Sequence, residues 1–281
     1  GGIKKRVHDF KNLSKKYPDI AGVRFDTMLA AYLCNPSASS YATDRIIAEY
    51  APYEPEIEGE TDEFIKNACL FSLACDTLEN ELEKTGQKKL FDEIELPLAR
   101  VLGEMELCGF SADMNGLRAL SSELDTRIKS LESEIYSLVG YEFNLNSPKQ
   151  LGVALFEKLG LPAKKKTKSG YSTGAEVLEG LKNEHPAVSL LLNYRQLAKL
   201  KSTYADGLQD CIAEDGRIHS TFNQTEARTG RISSLEPNLQ NIPVRTAEGR
   251  RLREYFNAPA GRVLCDADYS QIELRVLASM S

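Results

Sequence analysis

Residues 266–275 read Asp266-Ala267-Asp268-Tyr269-Ser270-Gln271-Ile272-Glu273-Leu274-Arg275. An apolar run, Val263-Leu264-Cys265, comes just before them, and a helix-like run from Ile272 to Met280 overlaps their end. This change of texture predicts a strand over Arg262–Asp268 that turns into a helix, with Asp268 at the strand's end. A carboxylate there can hold a divalent metal against a triphosphate. Two-metal phosphoryl transfer needs at least two carboxylates converging on ions ~4 Å apart. Asp266 shares Asp268's face of an extended segment. It is read as a solvated or capping residue, with a second metal ligand as the alternative. Ser270 suits the cap of the following helix. Glu273 and Arg275, two apart, do not face each other on a helix.

Upstream, Thr229 to Arg245 is dense in forked polar donors, and residues 228–253 hold Arg228, Arg231, Asn238, Gln240, Asn241, Arg245, Arg250, Arg251 and Arg253. Such side chains can donate to minor-groove acceptors shared by all base pairs, which suits a protein that holds any sequence. A loop pinned by its own hydrogen bonds, its path fixed by Pro237 and Pro243, is the compatible plainer reading.

The 281 residues suffice for one large or two ordinary domains. No apolar run approaches the ~20 residues of a membrane span. The start, Gly1-Gly2-Ile3-Lys4-Lys5-Arg6, lacks the apolar stretch of a secretory signal. The six cysteines form no C-x-x-C pair and read as reduced, mostly buried thiols of a cytosolic protein. The net charge of −6 is unevenly spread: residues 1–139 carry 16 Lys and Arg against 25 Asp and Glu, residues 140–281 carry 19 against 16. Basic residues cluster at Lys164-Lys165-Lys166-Thr167-Lys168 and between Arg245 and Arg253. Such patches fit a DNA groove; the lysines fit a solvated loop equally well.

The pattern predicts a mostly helical α+β chain. A strand or turn precedes a helix from Thr27 through Leu33, an acidic loop covers 51–62, and a helix covers about Glu63–Lys84. Gly86-Gln87 marks a boundary. Pro97 suits the first turn of a helix that Gly109 ends. Leu120, Leu124, Ile128, Leu131, Ile135 and Leu138 form one stripe of a long helix that Gly140 stops. Ser147, Pro148 and Gln150 make a helix start with a capping box, and Thr173-Gly174-Ala175-Glu176 repeats the logic. A second long helix runs from His185-Pro186 to about Ala213. The two long helices, with a basic hairpin between them, suggest a projecting antiparallel arm, scaffolding being the alternative. Arg217–Asn223 reads as a strand, 235–244 as irregular, and the C-terminal part as the start of a sheet.

Motif by motif the chain resembles the bacterial family A DNA polymerases. Asp268 to Arg275 matches that family's first palm motif, and Thr229-Gly230-Arg231 and Pro237 to Pro243 match the segment before it. Phe143 to Gly152, Lys165 to Thr173, and Tyr194 to Tyr204 resemble its thumb. The resemblance covers residues 19–281. It implies a C-terminal part of an inactive 3′–5′ exonuclease-like domain over 1–88 and a polymerase domain fragment over 89–281. Within the latter, 89–118 would be a palm-associated helix, 119–204 a long antiparallel helical thumb, and 205–281 the start of an antiparallel palm sheet.

The resemblance also implies roles. Asp268 would be the catalytic carboxylate and bind Mg2+, one of two ions expected in a complete enzyme, with the Tyr269 carbonyl as a further ligand. Ser270, Gln271, Ile272 and Glu273 would bind the deoxynucleoside triphosphate, Glu273 crowding the sugar 2′ position. Arg231, Asn238, Gln240, Asn241 and Arg245 would contact primer-template DNA. Lys165, Lys166, Lys201, Ser202 and Thr203 would meet phosphates from the thumb.

The family's fingers helix and second palm carboxylate are expected beyond Ser281, and a 5′-nuclease domain and the first exonuclease acidic pair before Gly1. Asp26 matches an exonuclease metal ligand, but Cys69 and Leu73 stand where the family has Tyr and Asp, so Asp26 is read as vestigial. Asp76 is read as a surface or helix-terminal residue. The first expectation is therefore a monomeric, cytoplasmic, nucleoid-associated DNA polymerase fragment, inactive alone. A non-catalytic primer-template-binding module comes second and a 3′–5′ exonuclease third.

Overall fold

The computed structural model describes residues 2–53, 63–163, 166–167 and 170–281, with backbone alone at 166, 167 and 170. Most of the acidic loop, and Lys164, Lys165 and Lys168 of the basic cluster, lie outside the described residues. The chain forms two compact units, Gly1–Gly109 with Arg217–Ile242, and Phe110–Gly216 with Pro243–Ser281.

In the first unit a short parallel pair, Lys5–Val7 and Val23–Asp26, leads into helix Thr27–Cys34. Helix Glu63–Lys84 has the predicted bounds. Its buried face, Ala74, Cys75, Leu78 and Leu82, packs in one core with Phe10, Phe25, Leu29, Ile46 and Phe91. The Phe25 and Phe91 rings lie 5.1 Å apart. Helix Leu96–Cys108 has Pro97 in its first turn and Gly109 at its C-cap, as predicted. The expected strand Arg217–Asn223 is two pieces, Arg217–Ile218 and Thr221–Asn223. The second pairs antiparallel with Ser233–Leu235, a strand the periodicity does not signal, with Phe222 opposite Ser234.

The second unit is built on helix Met114–Val139. Asp113 caps it by accepting from the Asn115 and Gly116 amides, and Gly140 ends it at φ 91°, where a side chain would strain the backbone. The apolar stripe holds with one correction: Val139 is buried and Leu138 exposed. Val139, four residues after Ile135, stands about 40° from it on a 3.6-residue helix and so continues the buried row. Helix Pro186–Lys199 packs on this face. It does not run on to Ala213: from Leu200 to Asp206 the backbone widens into a π-helical turn, then breaks into turns.

The capping expectations divide. Ser147 caps Pro148–Gly152, but the Gln150 side chain accepts from the Asn144 amide rather than closing a box on Ser147. Helix Ala175–Glu179 starts at Gly174 without a side-chain cap, and Thr173 instead accepts from Arg195 through its carbonyl at 2.5 Å. Of the cysteines, all free, only Cys75 is buried, and Cys108 and Cys265 are exposed. No helix among the described residues is long and apolar enough to cross a membrane.

Candidate nucleic-acid and nucleotide site

Residues 262–270 form no strand; they are irregular and exposed. The apolar run Val263-Leu264-Cys265 has β character, but an isolated strand leaves its backbone groups unpaired, and no described strand pairs with it. Helix Ile272–Met280 follows as predicted. Ser270 does not cap it. Gln271 takes the cap position in a left-handed conformation, φ 54°, without a side-chain bond. The Ser270 carbonyl accepts from Arg275 Nε at 3.0 Å, folding the arginine back over the turn. Asp266, Asp268, Tyr269, Gln271, Ile272 and Glu273 are all exposed. Among the described residues no three His, Cys, Asp or Glu side chains gather as a metal site. Asp268 and the Tyr269 carbonyl are oxygen donors of the hard kind Mg2+ takes, and this ion is commonly held by one or two carboxylates plus substrate phosphates.

The polar loop of the first unit is pinned from inside. Ser234, fully buried, accepts from the Leu239 amide at 3.2 Å and lies 2.7 Å from Ser220 Oγ, which donates to the Pro237 carbonyl at 2.7 Å. Either hydroxyl can donate across the Ser220–Ser234 contact, and Ser234 Oγ also reaches the Pro237 carbonyl at 3.3 Å, so both serines tie the loop at one carbonyl. Gln240 Nε2 donates to the Ile232 carbonyl at 2.9 Å, and Asn238 Oδ1 accepts from the Gln240 amide at 3.1 Å. The loop is thus pinned by its own hydrogen bonds, Gln240 among them, while Arg231, Asn238 and Asn241 are exposed. Ser220 and Ser234 escape sequence reading because lone serines carry no pattern.

In the second unit Thr246 caps helix Ala247–Arg253 by accepting from the Gly249 amide. Gly249 permits a close approach, since a Cβ there would lie 2.5 Å from the Pro243 carbonyl oxygen. Arg251 pairs with Glu123 at 2.6 Å, and Arg127 with Glu248 at 3.0 Å. Arg251 is thus a structural tie to helix Met114–Val139, while Arg245 and Arg250 are exposed. Ser202 and Thr203 are exposed on the π-helical turn. Lys201 is half-buried and pairs with Asp206 at 2.7 Å. Lys166 lies in a two-stranded hairpin, Lys166–Thr167 against Gly170–Tyr171.

Asp26 is fully buried. Its oxygens accept from four backbone amides: Phe10 at 2.6 Å, Met28 at 2.8 Å, Asp9 at 3.2 Å and Leu29 at 3.4 Å. Burial pushes this carboxyl above its ordinary range, against the hydrogen bonds from Phe10, Met28 and Leu29 and the neighbouring His8. The side chain ties two helix starts together. Asp26→Ala is expected to lower unfolding free energy by about 1–4 kcal/mol, the loss of two caps, measured by urea denaturation. Asp76 pairs with Arg6 at 2.6 Å on the surface.

Glu106 is the main residue the sequence reading missed. Buried on helix Leu96–Cys108, it accepts from Lys11 at 2.5 Å, from Lys15, and from the Phe222 amide at 2.9 Å. Lys11 also donates to the Phe222 carbonyl at 2.7 Å, so three chain segments meet at one carboxylate. Burial alone would raise the Glu106 carboxyl, but the Lys11 and Lys15 bonds outweigh it and hold it below its ordinary value.

Comparison with known proteins accords with the motifs. The family model for DNA polymerase family A matches residues 114–281. DNA polymerase I of Bacillus subtilis (strain 168) is 43% identical over 94% of this chain. DNA polymerase I of Caldicellulosiruptor bescii is 45% identical over 91%. The chain spans about a third of the length of these relatives, 32% and 30%. The solved POL domain of Pol1 from M. smegmatis, in complex with DNA primer-template and dNTP, superposes with a TM-score of 0.84 at 41% identity. It is covered to 50% of its length by 99% of this chain. The chain belongs to DNA polymerase family A.

Proposed function

We propose that this chain is the part of a DNA polymerase I that grips primer-template DNA and carries the first catalytic carboxylate of templated DNA synthesis. The observation that carries this reading is the unbroken Asp268–Arg275 motif within the stretch matching the family. Its likeness to a polymerase domain solved with primer-template and dNTP supports the choice of partners.

Asp268 and the Tyr269 carbonyl would hold Mg2+, one of two ions in a two-metal reaction. The ion would supply charge neutralisation of the triphosphate. Ser270, Gln271, Ile272 and Glu273 would line the nucleotide, with Glu273 set against the sugar 2′ position. Arg231, Asn238, Gln240, Asn241 and Arg245 would follow the duplex. Lys165, Lys166, Lys201, Ser202 and Thr203 would meet phosphates. Residues 1–88 would be an exonuclease-like domain serving as scaffold, with Asp26 in the capping role described above. Residues 119–204 would be the thumb and 205–281 the start of the palm. The protein would act as a monomer in the bacterial cytoplasm at the nucleoid.

Binding by the chain itself is the second reading, and the exposure of Arg231, Asn238 and Asn241 favours it. The test is duplex affinity by fluorescence anisotropy across a salt series. Replacing Lys164, Lys165, Lys166 and Lys168 by Gln should weaken binding for all sequences alike. It should also flatten the log–log salt slope by up to about one unit per lost contact. Arg231→Ala, aimed at the minor groove, should slow incorporation in a full-length protein more than it weakens binding. An unchanged slope for the lysine variant would make the hairpin a solvated turn.

A further inference from the structure

Lys201 and Asp206 are five residues apart. On an α-helix they would stand about 140° apart and could not meet. Leu200–Asp206 is instead a π-helical turn, whose hydrogen bonds join residues five apart, and this brings the two side chains together. Lys201 Nζ lies 2.7 Å from Asp206 Oδ2. The other oxygen, Oδ1, accepts from Ser121 Oγ at 2.5 Å, which anchors the carboxylate to helix Met114–Val139. Asp125, on that same helix, pairs with Lys129 at 2.7 Å. The Lys201 and Asp206 side chains are 24% and 42% exposed, so an anion can reach the ammonium from solvent. Ser202 and Thr203 are exposed beside it.

We propose that Asp206 is an internal counter-ion, holding Lys201 in the DNA-free chain and yielding it to an arriving nucleic-acid phosphate. The proposal rests on the reading that Lys201 meets phosphate. Its consequence follows from counter-ion release. When Lys201 neutralises a phosphate, the cation condensed there is released, but the freed Asp206 carboxylate takes up a cation in its place, so the contact adds little net to the salt dependence of binding. Such a contact positions the DNA without tightening the grip on every polyanion. With Asp206 replaced by a neutral side chain, no carboxylate is left to take up a cation, and the one released from the phosphate counts in full.

The experiment is anisotropy of a fluorescent primer-template duplex across a salt series, on the full 281-residue chain, for wild type, Asp206→Asn, Lys201→Gln and the double variant. Asn keeps volume and an acceptor for Ser121, and thermal unfolding of each variant checks the fold. Asp206→Asn is expected to tighten binding severalfold at low salt and to steepen the log–log slope by up to about 0.9. Adding Lys201→Gln should erase both effects. An unchanged or flatter slope for Asp206→Asn overturns the proposal. In that event, if Lys201→Gln still weakens binding in the Asp206→Asn background, Lys201 meets phosphate and only the counter-ion role fails. If it does not, the phosphate reading of Lys201 fails as well.

Discussion

Asp268→Ala, in a protein carrying this chain at the full length of its relatives, is expected to lower templated nucleotide incorporation by at least about 10²-fold. That is the loss typical of removing one preorganised charge-stabilising group. Primer-template affinity should stay within about twofold, since the substitution removes the proposed metal ligand and no proposed phosphate contact. The structure sharpens this expectation. Asp268 is exposed on an irregular segment, so its removal opens no cavity and strands no buried partner. Melting temperature should therefore be unchanged while single-turnover incorporation collapses. A variant that retains wild-type turnover would mean that the motif has been misassigned; one that loses turnover and stability together would mean that the segment is packed in the functional state.

The largest stability effect is expected at Glu106. Glu106→Ala leaves Lys11 buried without its carboxylate and frees the Phe222 amide. Removing one partner of a buried ion pair costs about 3–5 kcal/mol, because the remaining charge is uncompensated. Glu106→Gln keeps an acceptor for the Phe222 amide but not the charge, so a smaller loss is expected. The pH dependence has a definite sign. The folded carboxyl titrates below its ordinary value. Its contribution is therefore complete above the pKa of the unfolded chain, declines as pH falls below that value, and is gone once pH passes the lowered folded value. Urea unfolding at pH 7 and through the acid range, for wild type and Glu106→Gln, measures both. The acid-side decline should be shallower in the variant. Equal pH profiles would show that Glu106 is not ionised in the folded chain.

These two residues mark where sequence reading works and where it stops. Asp268 stands out because its neighbours in the chain carry the signal, although no local pattern gives its surroundings. Glu106 is one of many glutamates in the sequence. Its importance comes from Lys11, Lys15 and Phe222, about 90 to 120 positions away, and no periodicity links such positions. The same holds for Ser220 and Ser234, which fix the path of a loop whose polar surface the sequence does reveal.

By itself the sequence determined the long helices and the family motif. Glu63–Lys84, Leu96–Cys108 and Met114–Val139 are written in apolar spacing, an early proline and terminal glycines, all acting within one or two turns. Tertiary structure alone decided the rest. It left Arg262–Asp268 irregular, because a strand needs a partner for its backbone hydrogen bonds and β propensity supplies none. It also widened Leu200–Asp206 into a π-helical turn, which changes which side chains meet. The family resemblance proposes a phosphate for Lys201; only the folded turn places Asp206 against it.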